Sequence, residues 1–166
     1  MKQAALAFLL LATPALAAVT APKPSISSLT QLPIVTMHVY DEKADADAAV
    51  ARAFARAKAS GKRVLLDLGG NWCPDCIVLF NFMKLPEIRR FVDRHYEVVE
   101  VDVGRFNRNL HIPARLGFTE KLRGVPAVLV FTPDRKLVNR GDVFTTANAS
   151  GMTPQGLADY LARYAK

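Results

Sequence analysis

Trp72-Cys73-Pro74-Asp75-Cys76 holds the only two cysteines of a 166-residue chain. Two thiols separated by two residues can carry electrons. One attacks a disulfide as the thiolate, and the other releases the captured partner by closing a bond with the first. An apolar run, Val64-Leu65-Leu66-Asp67-Leu68, precedes the pair, and Ile77-Val78-Leu79-Phe80 follows it. Strand, short loop, cysteine pair and helix in that order place Cys73 at a helix N-terminus. Unpaired N–H groups and the helix dipole there favour a thiolate. Cys76, within the first helical turn, is expected to be the less exposed. A purely structural bridge is disfavoured, because a disulfide stabilises less as the loop it closes shortens, and this loop is almost the smallest possible.

The elements that must position the pair can be read from periodicity. Ile34 to Tyr40 is β-branched and aromatic and predicts a first strand; Arg63 to Leu68 predicts a second, apolar enough to be buried on both faces. Tyr96 to Val103, Pro126 to Thr132 and Lys136 to Arg140 complete five strands. A helix capped by Asp41 is expected to run to Ser60, with Gly61 ending it. Others are expected from Cys73 to Lys84, from Pro86 to His95, within the connection Gly104 to Arg123, and from Thr153-Pro154 to Ala165. Strands that alternate with helices early and form a hairpin late imply a three-layer α/β/α sandwich around a mixed sheet of about five strands.

The N-terminus reads as an export signal. Lys2 supplies the positive start, Ala4 to Ala12 the apolar stretch, and Ala15-Leu16-Ala17 the cleavage site. Cleavage after Ala17 would leave a flexible Pro/Ser/Thr-rich lead-in over 18–33 and a single domain over 34–166. The stretch is short for a membrane span, so the mature protein is expected in the periplasm or secreted, not integral to a membrane. Disulfides persist in such a compartment. The chain has 22 Lys+Arg against 15 Asp+Glu, a net charge of +7. The basic residues are scattered without aromatic interleaving, which argues against nucleic acid and for a solvated basic surface. Arg105, Arg108, Arg115, Lys121 and Arg123 fall in the long connection and could also meet a partner.

With these landmarks the chain resembles the thioredoxin-fold family, in particular its exported bacterial thiol–disulfide oxidoreductases, from about Val35 to Lys166. Trp72-Cys73-Pro74-Asp75-Cys76 is similar to the family's redox motif. Asp67 lies six residues before Cys73, where thioredoxins keep a buried acid. Gly124-Val125-Pro126-Ala127 resembles the loop whose proline is cis, and Gly141 falls about where a family glycine follows the last hairpin. Pro-Asp between the cysteines departs from thioredoxin's Gly-Pro. Thioredoxin's lysine near the buried acid has no match, since Val98 or Val99 falls there. The connection from Asp102 to Pro126 is also longer.

The resemblance implies roles. Cys73 is the nucleophile and Cys76 the resolving thiol of a redox disulfide. Asp67, its pKa raised by burial, would accept the Cys76 proton, directly or through a water. Trp72, Pro74, Val125 and Pro126 would face the substrate, the Val125 backbone pairing with an extended segment. Asp75 places a negative charge near Cys73, which disfavours the thiolate and lowers the potential, so a reductant is expected. Protein disulfides are the expected substrates and a membrane-bound electron donor the expected source of reducing equivalents. No cofactor beyond the disulfide is expected. His38, His95 and His111 form no metal-binding pattern, and Ile77 rather than His after Cys76 excludes haem attachment. The alternatives are a disulfide oxidase or isomerase, a copper- or zinc-binding thiol module, and an interaction domain with vestigial cysteines.

Overall fold

The computed structural model describes residues 19–166; the leader expected over 1–17 lies outside the described residues. Strand β1 (Arg63–Gly69) is the middle of a three-stranded sheet, flanked by β2 (Tyr96–Asp102) and β3 (Ala127–Phe131). β2 runs parallel to it and β3 antiparallel. Side chains alternate across a strand. Val64, Leu66 and Leu68 therefore enter one core with Val50, Ala53, Phe54 and Ala57 of helix α1 (Ala46–Ser60). Leu65 enters a second core on the opposite face. That core takes Leu79 and Phe82 of α2 (Pro74–Met83), Ile88 and Phe91 of α3 (Pro86–His95), and Leu157 and Leu161 of α5 (Pro154–Arg163). Helices on both faces of a mixed sheet give the expected α/β/α layering. The fourth helix, α4 (His111–Arg115), is a single turn inside the long connection.

Local chemistry sets the helix ends. Asp45, not Asp41, caps α1: its side chain accepts from the Ala48 N–H at 2.9 Å. Asp41 instead accepts from Lys43 N–H in the turn before it. Gly61 closes α1 in the left-handed conformation, φ +76°, where a glycine carries no Cβ penalty. Pro74, Pro86 and Pro154 each open a helix, where a missing N–H costs nothing.

Two of the five expected strands do not form: asparagine side chains replace the ladder at 34–40, and at 136–140 two backbone bonds, Thr132 N–H to the Lys136 carbonyl and Val138 N–H to the Val130 carbonyl, remain beside an asparagine. Residues 34–40 join no ladder, and asparagine side chains take hydrogen bonds a neighbouring strand would offer. Asn81 Oδ1 accepts from the N–H groups of Val35 (2.8 Å) and Thr36 (3.2 Å), and its Nδ2 donates to the Thr36 and Ile77 carbonyls. Asn71 Oδ1 accepts from Val39 and Tyr40, and its Nδ2 donates to the Tyr40 carbonyl. Ile34, Val35 and Met37 are left exposed. At the other site, Lys136 to Arg140 reduces to one bridge between Phe131 and Leu137. Asn139 accepts there from Val130 N–H and donates to the Val128 carbonyl, each at 2.8 Å.

The lead-in expected to be flexible is packed. Leu32 is buried, and Val19, Ala21, Ile26 and Leu29 lie against the second core. A short 3₁₀ turn, Leu29–Gln31, is held by a reciprocal cap between Ser28 and Gln31, and Ser25 N–H donates to Glu87 of α3. Among the described residues no helix is long and apolar enough to cross a membrane.

Asn81 is itself buried and joins α2 to the chain that carries Tyr40. Asn81→Ala removes four hydrogen bonds and should destabilise the fold by about 2–3 kcal/mol. Hydrogen exchange at Val35 and Thr36 should accelerate. Urea unfolding and amide exchange check this, and a change within experimental error would show that 34–40 is held by something else.

Candidate active site

β1 ends at Gly69, and the chain turns through Gly70 and Asn71 into α2. Cys73 is the N-cap of that helix, with extended dihedrals, and its sulfur accepts from the Cys76 N–H at 3.2 Å. Cys73 and Cys76 are disulfide-bonded. Cys76 has no exposed surface, while Cys73 retains 3% and sits between two exposed residues, Trp72 and Pro74. The helix N-terminus aims its free N–H groups and positive dipole end at Cys73, the environment that favours a thiolate once the bond is reduced.

The Val125–Pro126 peptide is cis, and its loop faces the motif: Cys73 Sγ lies 3.4 Å from the Val125 carbonyl oxygen. Pro126 is buried, its carbonyl accepting from Thr146 Oγ1. Trp72 is 41% exposed, so it is a surface platform and not core packing. Its Nε1 donates to the Gly104 carbonyl at 2.8 Å, Phe106 packs edge-on against it, and the Arg105 guanidinium lies over the ring. Beside Phe106 opens a hollow of about 630 Å³ lined by Phe106, Leu110, Lys121, Leu122 and Arg123. The long connection thus forms a wall of the site.

Asp75 has a task the sequence did not disclose. Its carboxylate accepts from both the N–H (2.8 Å) and the hydroxyl (2.6 Å) of Ser150, fastening the start of α2 to the 3₁₀ segment Thr145–Gly151. The basic residues of the connection are mostly engaged within the molecule. Arg108 pairs with Asp102 and Glu42, Arg115 with Asp47, and Arg123 lies over Phe144.

Asp67 is fully buried on β1, directly opposite Glu100 of β2. Burial, reinforced by the Glu100 charge, pushes its pKa up to about 8. One carboxyl oxygen accepts from the Tyr40 hydroxyl at 3.0 Å; the other has no partner within the protein. Tyr40 is buried as well, and burial together with the Asp67 charge pushes its hydroxyl well above the ordinary phenol range. Its neighbours explain Gly69: a Cβ there would overlap the Tyr40 hydroxyl and lie 2.8 Å from Cys76 Sγ. Sequence reasoning missed Tyr40, which read as a strand residue, and the asparagines that hold its segment. The strand-like pattern of 34–40 masked both. Among the described residues no group of three His, Cys, Asp or Glu side chains could hold a metal ion.

Comparison with known proteins agrees with this geometry. A thioredoxin-like family profile matches residues 45–133. A disulphide isomerase from Xylella fastidiosa Temecula1 is 38% identical, with a TM-score of 0.69, over 75% of this chain and 95% of that one. A DsbH oxidoreductase shares 16% identity over 86% of this chain and 95% of its own, with a TM-score of 0.44. No curated protein matches the chain. With a bonded Cys-x-x-Cys pair at a helix N-terminus and this family match, the chain belongs to the thioredoxin-like family, as a thiol–disulfide oxidoreductase.

Proposed function

We propose that the protein reduces disulfides of exported proteins by cycling Cys73 and Cys76 between dithiol and disulfide. The observation that carries this is the asymmetry of the pair. Cys73 caps α2 between exposed Trp72 and Pro74, whereas Cys76 is enclosed behind it. The reduced Cys73 thiolate attacks a partner disulfide, forming a mixed disulfide and expelling one partner thiolate. Cys76 then attacks Cys73, closing the intramolecular bond and releasing the second partner thiolate. The partner gains two electrons and the protein's dithiol loses them. Exposed Trp72 and Pro74 form the surface on which the partner lies; the Val125 and Pro126 side chains are buried beside it, and it is the Val125 backbone that is available to an extended segment.

The setting is the periplasm or the extracellular space, following removal of residues 1–17. Soluble nicotinamide-linked reductases are cytosolic, so a membrane-bound donor restores the dithiol. Asp67 takes the Cys76 proton: an acid with a pKa near 8 can accept and release a proton close to neutrality. The 38% identical disulphide isomerase favours a second reading, isomerisation. It starts with the same attack by Cys73 but ends when another partner thiol displaces it. Reactivation of a scrambled multi-disulfide protein, measured with and without Cys76, separates the two.

Cys76→Ser should accumulate mixed disulfides with native partners, visible on non-reducing gels, whereas Cys73→Ser should not; equal trapping by both would reverse the assignment. For direction, Asp75→His replaces a negative neighbour of Cys73 and should raise the redox potential by about 30 mV or more, the equivalent of ~1.4 kcal/mol. Titration against glutathione reads it, and an unchanged or lower value would sink the reductant reading. For Asp67, a folded-state pKa raised above its unfolded value means that the native state holds a proton the unfolded chain has lost. Stability must then fall as pH rises from about 4 through about 8. Asp67→Asn should abolish that loss, with Tm rising relative to wild type above pH 8 and the gap closing below pH 4. Parallel pH profiles for both proteins would rule out a buried carboxyl of high pKa.

A further inference from the structure

We propose that the Tyr40 hydroxyl relays the proton from Cys76 Sγ to Asp67 when a bound partner is released. The inference rests on Cys76 being the resolving thiol. Three contacts carry it. The Tyr40 hydroxyl donates to Asp67 Oδ1 at 3.0 Å. A Cβ on Gly69 would lie 2.2 Å from that hydroxyl and 2.8 Å from Cys76 Sγ. This puts hydroxyl and sulfur within reach of each other directly or across one water. Finally, Asn71 grips the Tyr40 backbone through both N–H and carbonyl, one residue before Trp72 and the redox motif. The tyrosine is therefore tied to the loop that presents the cysteines.

The chemistry of the surroundings supports a hydroxyl in this role. Cys76 has no exposed surface, so its proton has no open path to bulk water. A tyrosine hydroxyl both donates and accepts, which a relay requires. Three other titratable groups act on the pair. Glu100 lies opposite Asp67 on β2, Asp102 ends that strand, and the Tyr160 phenol of α5 is joined to Asn139 and the Asp142 carbonyl. In the mixed disulfide Cys76 is a thiol. Its proton passes to Tyr40 Oη as the Tyr40 proton passes to Asp67 Oδ1. The Cys76 electron pair forms the Cys73–Cys76 bond, the bond from Cys73 to the partner breaks, and the partner leaves as a thiolate. The departing thiolate takes a proton from solvent, and the proton held on Asp67 returns through Tyr40 to Cys76 when the disulfide is next reduced. Phenylalanine fills the same space but cannot take part.

Reduced full-length protein mixed with dithiobis(nitrobenzoate) provides the test, because each exchange step releases one coloured thiolate. The first phase reads attack by Cys73 and the second reads resolution by Cys76. Failure of the first phase would overturn the Cys73 assignment; only the second bears on Tyr40. Tyr40→Phe should leave the first phase unchanged and slow the second by about 100-fold at neutral pH, the lower end of acid–base contributions. Asp67→Asn should slow the second phase comparably, and the double variant should be no slower than the slower single. A wild-type second phase in Tyr40→Phe, equal slowing of both phases, or multiplicative effects in the double variant would overturn the relay. Should Tyr40→Phe unfold, difluorotyrosine at position 40 retains the hydroxyl and shape but is more acidic. The second phase should then shift its pH dependence to lower pH, and an unshifted profile would refute the proposal.

Discussion

A carboxyl sealed into the middle strand of the sheet is the constraint to which the rest of the site answers. β1 is buried on both faces, as a central strand must be, yet it carries Asp67 directly opposite Glu100. Ionising such a group in apolar surroundings is costly. The structure offers Asp67 one hydrogen bond, from Tyr40, and leaves its second oxygen unpartnered. The carboxyl is thereby held in reserve for a proton. Gly69 and Gly70 follow because nothing larger fits between the sulfur, the phenol and the indole gathered at the end of the strand.

Much of this was legible in the sequence. Two cysteines after an apolar strand and before a helix could be placed at an N-terminus without coordinates, and Cys73 is the cap. The apolar run around Asp67 announced its burial. Helix starts at Pro86 and Pro154 followed from proline's preference for the first helical position. The strands at 34–40 and 136–140 failed because β-branched and aromatic content reports a fit to an extended, half-buried surface, not the presence of a partner strand. Single amides from Asn81, Asn71 and Asn139 supply the bonds there. No local pattern distinguishes an asparagine that ends a turn from one that reaches across the fold.

Charge was the least legible property. A scattered net charge of +7 suggested a solvated basic exterior. Several of the arginines, exposed as expected, also brace the connection between β2 and β3. Arg108 clamps Asp102 and Glu42, Arg115 ties α4 to Asp47 on α1, and Arg105 lies over Trp72. Such exposed pairs contribute little stability one at a time. Their effect is geometric: they hold a long connection whose Gly104, Arg105 and Phe106 lie against Trp72 of the redox motif.

The asparagine joints also decide which alignments of the chain are permitted. A strand against a strand can slip by two residues and rebuild its ladder with the same side chains inward. An amide has one accepting end and one donating end, so Asn71 and Asn81 accept only one phase of the backbone they hold. A segment pinned at two such points keeps its place even with Ile34, Val35 and Met37 facing water. Where an ordinary edge strand would trade alignment for extent, this segment, which joins no sheet, is locked like a key in two wards, and the phenol at its end is delivered to a single address.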